Sequence, residues 1–350
     1  MSGSGAEIRD IRAKQGIALP DGAGAACGAA YLAAEGFEEA LTEELRRKGV
    51  RVTGWHGRLA LSPDVPVEAA WALDTWLEPE IHPIASIGAA AALLRGRQRN
   101  WACHAVLHHR RAALIAERLP PVSARKLVFP AAAPGGHLGA WTLLAPDRML
   151  LSARKSSPFV NGAAQFVEDR EGPPSRAYLK LWEACARLGR WPVPGERCVD
   201  LGAAPGGWTW VVARCGAEIV AVDRAELAPE VAAMPGVRSL RGSAFGIAPE
   251  ELGPVDWLFS DIIAYPPRLL ALARRWIAAG MARRIVLTIK FQGETDHETA
   301  EAFAAIPGGS VRHLWHNKHE LTFFWDRDAA GDAGAGSAAG GASPGSVPGP

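Results

Sequence analysis

One stretch of the sequence, residues 198–210, restricts the possible folds of this chain more than any other. It starts with a short, mostly apolar run, continues as a turn of Gly, Ala and Pro, and has the composition of a helix start from Trp208. A strand that enters a helix through such a turn brings backbone N–H groups to the carboxyl edge of a parallel sheet, where nucleotide-like ligands bind. Because glycine has no side chain, Gly206 and Gly207 would let a ligand approach the main chain. The stretch therefore predicts an α/β domain with a ligand site at this turn.

An acidic residue, Asp223, follows at the distance expected for a ribose contact. It ends the next apolar run, 218–223, and an acid about 20 residues beyond such a turn can bind a pair of ribose hydroxyls. The turn does not fit a dinucleotide, because Gly-x-Gly-x-x-Gly is absent and Pro205 has no N–H for a pyrophosphate. A nicotinamide-dependent oxidoreductase is therefore the weakest candidate. That the turn serves only tight packing stays an alternative.

The nine residues 200–208, Asp-Leu-Gly-Ala-Ala-Pro-Gly-Gly-Trp, resemble the cofactor loop of class I methyltransferases that use S-adenosylmethionine (SAM). More narrowly, they are similar to FtsJ-type RNA ribose 2′-O-methyltransferases. The resemblance implies a Rossmann-like domain with a seven-stranded, mostly parallel sheet and SAM as the cofactor. The residues that it implies for SAM binding are Ser175, Gly202, Ala204, Pro205, Gly206, Gly207, Trp208, Asp223, Ser243 and Asp261. Ser243 is a departure, because family members usually have an acid there for the adenine amino group.

The apolar runs after residue 197 agree with such a sheet. They predict strands at 198–201, 219–223, 237–240, 255–261, 284–290, 311–316 and 320–326. The preceding residues alternate between helix and strand patterns, which predicts a smaller α+β domain. Its predicted elements are helices at 38–48 and 67–77, a hairpin over 50–61, and strands at 127–129, 139–144 and 149–153. The predicted division of the chain is a partly disordered N-terminus at 1–26, the α+β domain at 27–153, a linker at 154–174, the methyltransferase domain at 175–327 and a disordered tail at 328–350.

Four charged residues match the Lys-Asp-Lys-Glu catalytic set of the 2′-O-methyltransferase family. Asp261 and Lys290 end two predicted strands, and Glu320 begins the last predicted strand. In the family pattern this last strand lies between two other strands and is antiparallel to the rest of the sheet. Lys180 lies in a predicted helix that starts with Ser175 as its N-cap and continues to residue 188. We therefore expect these four side chains on one rim. Lys290 is the candidate for orienting the ribose 2′-oxygen and for accepting or relaying its proton, and both roles stay open. Ordinary salt bridges at the rim are the alternative.

Further segments are similar to the branch of the family that methylates a cytidine ribose of 23S rRNA. They are Ser157-Pro158-Phe159, Pro174-Ser175-Arg176 and the run from Leu314 to Thr322. The N-terminal segment Tyr31–Glu38 is similar to the start of a THUMP RNA-binding domain, which members of this branch carry. The resemblance implies RNA as the partner, in particular 23S rRNA or a large-subunit precursor. A tRNA or another RNA is an alternative substrate, since residues 291–294 are less basic here than in that branch. A second alternative is that the protein is an RNA-binding ribosome-assembly factor without efficient turnover.

The net charge is +1, so a nucleic-acid surface must be local. Between residues 95 and 126 there are eight Lys and Arg side chains against one acid, with Trp101 among them, which suits an RNA backbone and a stacked base. A solvated helix face is the alternative.

His104 and His108 have the spacing of a metal-binding helix but no acid between them, so we expect no metal. Five cysteines without CxxC spacing and the lack of a long apolar run predict a cytoplasmic protein without membrane contact, which we expect to be a monomer.

Overall fold

The computed structural model describes residues 25–122 and 125–330. The N-terminal and C-terminal segments for which disorder was predicted lie almost entirely outside these residues. The chain forms two compact units. Among the described residues, the first unit comprises those up to Glu168, Trp182–Arg190 and Arg312–Asn317, and the second comprises Asp169–Leu181, Trp191–Val311 and those from Lys318 onward. No helix in the described part of the chain is both long and apolar enough to cross a membrane.

The second unit contains the seven-stranded sheet that the sequence predicts. Its strands are β11 Arg197–Leu201, β12 Glu218–Asp223, β13 Val237–Arg241, β14 Val255–Ser260, β15 Ala282–Lys290, β16 Gly309–Arg312 and β17 Glu320–Asp326. Their order across the sheet is β13-β12-β11-β14-β15-β17-β16. Strands β11 to β15 are parallel to their neighbours in this order, and β17 is antiparallel to β15. The predicted α/β fold and the antiparallel position of the last strand are therefore confirmed.

Helices connect these strands as a doubly wound sheet requires. They are α5 Gly207–Arg214, α6 Pro229–Ala232, α7 Pro249–Leu252, α8 Pro266–Ala278 and α9 His297–Ala304, and the helix α4 Tyr178–Leu188 precedes the first strand of the sheet. The division between the two units falls inside α4, because its first four residues belong to the second unit and the others to the first. The prediction that this helix starts after Ser175 is wrong. Residues 171–177 form bends and turns, the helix begins at Tyr178, and Lys180 is therefore its third residue.

The predicted strand 311–316 is also too long at its carboxyl end. Strand β16 ends at Arg312, and the next residues belong to the first unit, where the His313 N–H donates to the Ala70 carbonyl at 2.6 Å. The strand-like alternation of the sequence continues past Arg312, but the His313 N–H forms its hydrogen bond outside the seven-stranded sheet, so the strand ends there.

The first unit contains two five-stranded sheets. Its strands are β1 Ala25–Ala26, β2 Ala29–Ala33, β3 Gly54–His56, β4 Leu59–Ser62, β5 Ala72–Leu77, β6 Glu80–Pro83, β7 Trp101–Cys103, β8 Gly139–Ala145, β9 Arg148–Ser152 and β10 Arg154–Lys155. One sheet has the order β1-β6-β9-β8-β7 and the other β10-β5-β2-β4-β3. The helices are α1 Glu38–Arg47, α2 Ile87–Arg97 and α3 His109–Ala116. The predicted α+β content is therefore observed, and helix 38–48 and strands 139–144 and 149–153 are found within about two residues of their predicted limits.

Three other elements of the first unit differ from the prediction. The predicted strand 127–129 is wrong, because only an isolated bridge between Leu127 and Phe166 is found there. The predicted helix 67–77 is wrong, because residues 72–77 form the strand β5 between β2 and β10. Its central side chains are buried on both faces, so the alternation that marks a half-exposed strand is missing, and pairing with β2 overrides the helix propensity of its Ala and Leu residues. The hairpin is shifted to residues 54–62, with its turn at Gly57 and Arg58.

The predicted linker 154–174 is divided between the two units at Glu168 and Asp169. A buried ion pair fixes its beginning, because Lys155 donates to Asp74 Oδ2 at 2.8 Å and to the Phe159 carbonyl at 2.7 Å. The Lys155 and Asp74 side chains are 1% and 0% exposed.

The basic segment 95–126 forms no continuous helix. Arg97 is engaged by a bidentate pair with Glu80, at 2.6 and 2.7 Å. His108 is the N-cap residue of α3 and His104 precedes that helix, so the two do not share a helical face. An RNA role for this segment stays a prediction.

Candidate functional site

A cavity of about 490 Å³ opens at the carboxyl edge of the sheet in the second unit. Most of the residues predicted for cofactor binding line it, together with Lys290. They are Ser175, Gly202, Ala204, Pro205, Gly207, Trp208, Asp223, Ser243 and Asp261. The sequence prediction therefore brought together residues that are up to 86 positions apart in the chain and share one cavity. Gly206 is the one predicted residue of this set that does not line it.

The glycines of the turn are required by packing inside the protein. Gly206 is the N-cap of α5 at φ +113°, and a Cβ there would lie 2.9 Å from Val231 Cγ1. A Cβ on Gly207 would lie 2.6 Å from Ser175 Oγ. Ser175 is thus positioned against the start of α5 and does not cap α4. These contacts differ from the predicted reason for the two glycines, which was room for a ligand.

Asp223 ends β12 and has the acceptor capacity that a ribose requires. Its Oδ2 accepts the Ala204 N–H at 3.0 Å, and its Oδ1 accepts the Ala225 N–H at 2.9 Å. A carboxylate offers about four acceptor positions, so two remain for ligand hydroxyls. The bond to Ala204 also ties the carboxylate to the turn after β11. The residues present therefore fit the nucleoside part of SAM.

An apolar wall of the cavity was not predicted from the sequence. Phe245, Ile262 and Ile263 line it, and the guanidinium of Arg268 lies over the Phe245 ring, 4.0 Å from its centre. Such a cation–π contact holds the ring in place beside the cavity. The signal in the sequence is weak, since Phe245 follows a polar turn and Arg268 lies in the first turn of α8.

Asp200, inside β11, is a second residue that the prediction did not use, although it is the only acid of its strand. The side chain lines the cavity, is buried, and its Oδ2 accepts a hydrogen bond from Thr209 Oγ1 at 2.8 Å. Burial, assisted by the nearby carboxylates of Asp261 and Asp223, raises the pKa of Asp200 to about 7. The folded protein therefore keeps this carboxyl protonated in mildly acidic solution.

This pKa predicts a pH dependence of stability that Asp200→Asn should remove. The folded-state pKa lies above the ordinary 3.8, so the stabilisation by the bound proton is complete below that value and is lost as the pH rises to about 7. The unfolding free energy of the variant, minus that of the wild type, should increase from pH 4 to 7 by up to about 1.4 kcal/mol per pH unit and then level off. Urea unfolding at several pH values measures this difference, and a difference independent of pH would contradict the assignment.

The four residues predicted as a catalytic set are in direct contact within the second unit. Lys180 Nζ is 2.6 Å from Asp261 Oδ1 and 3.1 Å from Glu320 Oε1. Lys290 Nζ is 3.2 Å from Asp261 Oδ1 and also donates to the Asp261 carbonyl oxygen. Lys290 and Glu320 are partners in the register of β15 and β17. The antiparallel last strand is thus what brings Glu320 beside Lys290.

The quartet of Lys180, Asp261, Lys290 and Glu320 is electrically balanced and largely removed from water. The Lys180 and Glu320 side chains are 11% and 9% exposed, and those of Lys290 and Asp261 are 19% and 16% exposed. Only Asp261 and Lys290 line the cavity. A ligand in the cavity would therefore meet Asp261 and Lys290 directly, and Lys180 and Glu320 only through their contacts with these two residues. Such a compact, paired arrangement at the end of three strands is more ordered than exposed surface salt bridges, which contribute little.

Comparison with known families agrees with this geometry. Residues 173–286 match the family of FtsJ-like methyltransferases. This segment contains the turn after β11, Asp223, Ser243 and two members of the quartet. The segment is therefore similar to FtsJ-like methyltransferases in sequence.

Relatives of the chain carry a more specific name. It is 38% identical over 165 residues to a protein of Halorhodospira halophila called ribosomal RNA large subunit methyltransferase M, covering 45% of this chain and 48% of the relative. The protein of that name from Alkalilimnicola ehrlichii is 38% identical over 175 residues, with 46% and 48% covered. The one from Xylella fastidiosa is 30% identical over 207 residues, with 53% and 57% covered. The chain spans about half the length of the curated relatives it matches.

Proposed function

We propose that this protein is a SAM-dependent methyltransferase that methylates a ribose 2′-hydroxyl of RNA. The observation that carries the proposal is the contact between Lys180, Asp261, Lys290 and Glu320 beside a cavity whose other residues suit a nucleoside. When bound, SAM supplies a methyl group on a sulfonium, which is an activated leaving group. The task left to the protein is mainly alignment of the attacking oxygen, and alignment is a large source of rate.

Lys290 is the residue that would meet the ribose hydroxyl. Its Nζ has three positions, and two of them are used by the carbonyl and carboxylate oxygens of Asp261. The third position is available to hold the 2′-oxygen, by donating a proton or, in the neutral amine, by accepting one. Asp261 fixes the direction of the amine, and Lys180 fixes Asp261 and Glu320 by bridging their carboxylates.

The proposed residues for SAM are those of the turn and of the two strands beside it. Asp223 would hold the ribose hydroxyls with its remaining acceptor positions, and Phe245 with Ile262 would contact the adenine ring. Ser243 also lines the cavity and would offer its hydroxyl to the adenine amino group. A serine accepts one hydrogen bond without charge, so we expect weaker adenine selectivity than an acid gives.

The Asp223 role predicts a specific loss of cofactor affinity. Asp223→Ala should weaken SAM binding by about 1.5–3 kcal/mol, the range for hydrogen bonds to a charged group. Isothermal titration with SAM measures the effect. Asp256→Ala is a suitable control, because Asp256 lies near the start of β14 and accepts the Arg197 N–H there. Equal affinity of the Asp223 variant and the wild type would remove Asp223 from the site.

For the substrate, we propose a cytidine of 23S rRNA, as naked RNA or in an assembling large subunit. The support is the name of the relatives, which match about half of their own length, and the resemblance of the segment from Leu314 to Thr322. Residues 27–153, which belong to the first unit, are proposed as a THUMP-like RNA-binding domain, and the protein as a cytoplasmic monomer.

The deciding experiment maps the modified nucleotide. Purified protein is incubated with methyl-labelled SAM and total RNA from cells that lack the gene, and 2′-O-methylated positions are located by resistance to alkaline cleavage. A single new position in 23S rRNA supports the proposal. Modification of tRNA would replace the substrate but keep the chemistry, and label on a base in place of a ribose would overturn the proposed reaction.

A further inference from the structure

A second cavity, of about 440 Å³, lies entirely within the first unit and has no part in the site described above. Its size falls within the range of about 300–1,000 Å³ that small-ligand sites have. The segments that line it include the turn at Arg58, the stretches around Arg125 and His137, residues 158–161, and Trp315.

The chemistry of this lining is one-sided. The lining includes two guanidinium groups, of Arg58 and Arg125, and the imidazole of His137. No Asp or Glu is among the lining residues that the structure describes. Arg125 is exposed and has no ion-pair partner in the described part of the chain. A cavity with cations and without carboxylates favours an anionic ligand.

Trp315 adds an aromatic surface to this charge. Its side chain is 38% exposed, which is unusual among the tryptophans of a chain whose other indoles are largely buried. Glu183, which is fully buried, fixes its backbone by accepting the N–H groups of Trp315 at 2.9 Å and His316 at 3.0 Å. An exposed indole on a rigid backbone is a surface on which a nucleobase can stack.

The loop that carries Phe159 and Asn161, another part of the lining, is held by the same buried carboxylate. Arg187 donates to Glu183 Oε1 at 2.7 Å and to the Gly162 carbonyl at 2.9 Å, and its guanidinium lies 5.1 Å from the centre of the Phe159 ring. The loop that carries Phe159 and Asn161 is therefore fixed to the helix that also fixes Trp315. The cavity is formed in advance, which reduces the ordering cost of binding.

Asn161 supplies a polar group that has no use in the fold. Its Nδ2 donates to the Cys103 carbonyl at 3.1 Å, whereas its Oδ1 is buried and has no hydrogen-bond partner among the described residues. A buried acceptor without a donor costs free energy unless a ligand provides one. The exocyclic amine or ring N–H of a nucleobase is such a donor.

We propose that this cavity binds one unpaired nucleotide of an RNA strand, with its base on Trp315 and its phosphate at Arg125 and Arg58. The choice of RNA as the ligand rests on the proposed function. The inference goes beyond it by assigning a nucleotide site away from the methyl-transfer cavity, so that the first unit holds a single-stranded segment of the substrate by stacking and charge together.

The test is titration of the full chain with single-stranded hexauridylate, in the presence of saturating S-adenosylhomocysteine to fill the other cavity. Trp315→Ala should weaken binding roughly 5- to 100-fold, the range for losing one stacked base, and Trp315→Phe should restore most of the affinity. Arg125→Ala should reduce the magnitude of the negative slope of log affinity against log salt by about 0.7, the value for one phosphate contact of a single strand. Arg51→Ala removes an exposed arginine of the same unit that does not line the cavity, and should leave the affinity within about twofold.

Equal binding by Trp315→Ala and the wild type, with an unchanged urea midpoint, would overturn the inference. So would an Arg51→Ala variant that loses as much affinity as Arg125→Ala, because the effect would then be general charge. The proposed methylation reaction and the proposed nucleotide site can be disproved independently of each other. If the wild type methylates no RNA and Trp315→Ala still weakens hexauridylate binding, the cavity stands without the proposed reaction. If methylation occurs and Trp315 has no effect on binding, the reaction stands without the cavity.

Discussion

Replacing Lys290 with Met should lower single-turnover methyl transfer by about 10²–10⁴-fold, the range for removing general acid–base help. The substitution keeps the aliphatic stem and removes the amine that contacts Asp261. Loss of alignment adds to the effect. The affinity for SAM should change little, because the amine is proposed to face the ribose of the RNA and not the adenosine of the cofactor.

The measurement needs saturating RNA and SAM, together with a titration of each ligand, so that binding and chemistry are separated. Lys318→Met is a matched control, because Lys318 is an exposed lysine just before Glu320 and does not line the cavity. A Lys290 variant that methylates within about threefold of the wild type would contradict the proposed role. Failure to bind SAM would show that Lys290 belongs to the cofactor site.

Glu183→Ala should have the largest effect on stability, a loss of about 3–5 kcal/mol, as expected when one partner of a buried ion pair is removed. Glu183 is 0% exposed and accepts hydrogen bonds from Arg187 and from two backbone N–H groups. Burial alone would raise the pKa of Glu183, but Arg187, His316 and the Trp315 N–H outweigh it and hold the pKa below 4.5. The stabilisation is therefore present above that pH and is lost as the pH falls through the folded-state pKa.

Urea unfolding at pH 7 and at lower pH measures this contribution. Glu68→Ala provides the matched control, because the Glu68 side chain is 86% exposed and its ion pair with Arg312 is long, at 3.7 Å. This substitution should change the free energy of unfolding by less than about 0.5 kcal/mol. The difference between Glu183→Ala and the wild type should shrink in acid. A loss below about 1 kcal/mol at pH 7 would mean that the segment 313–317 is held by other contacts.

The sequence predicted the α/β sheet well because its strands are apolar runs that end in turns, a pattern that depends little on tertiary context. The quartet could be predicted because its strand-borne members stand at strand ends, where neighbouring strands of one sheet come together. Strand β5 could not be predicted, because it is buried on both faces and therefore lacks the alternation of polar and apolar residues that marks a strand. Its composition also suits a helix. The Phe245 wall could not either, since its geometry depends on Arg268 in a separate helix. Asp200 could be recognised in the sequence as a lone acid in an apolar strand, but its raised pKa follows from its burial in the folded chain and from the nearby carboxylates of Asp261 and Asp223.

The division of the chain into two units has a practical consequence for anyone who dissects it. Each unit is assembled from three separate segments, so no single cut yields one of them whole. A fragment that starts at Asp169 would contain all four residues of the quartet but also 182–190 and 312–317. These segments pack on residues that the fragment lacks, as Trp182 does by stacking on Phe166 and His313 by its bond to Ala70. Such a fragment would expose a buried indole and unsatisfied backbone groups, and its loss of activity would report on solubility before it reported on RNA binding.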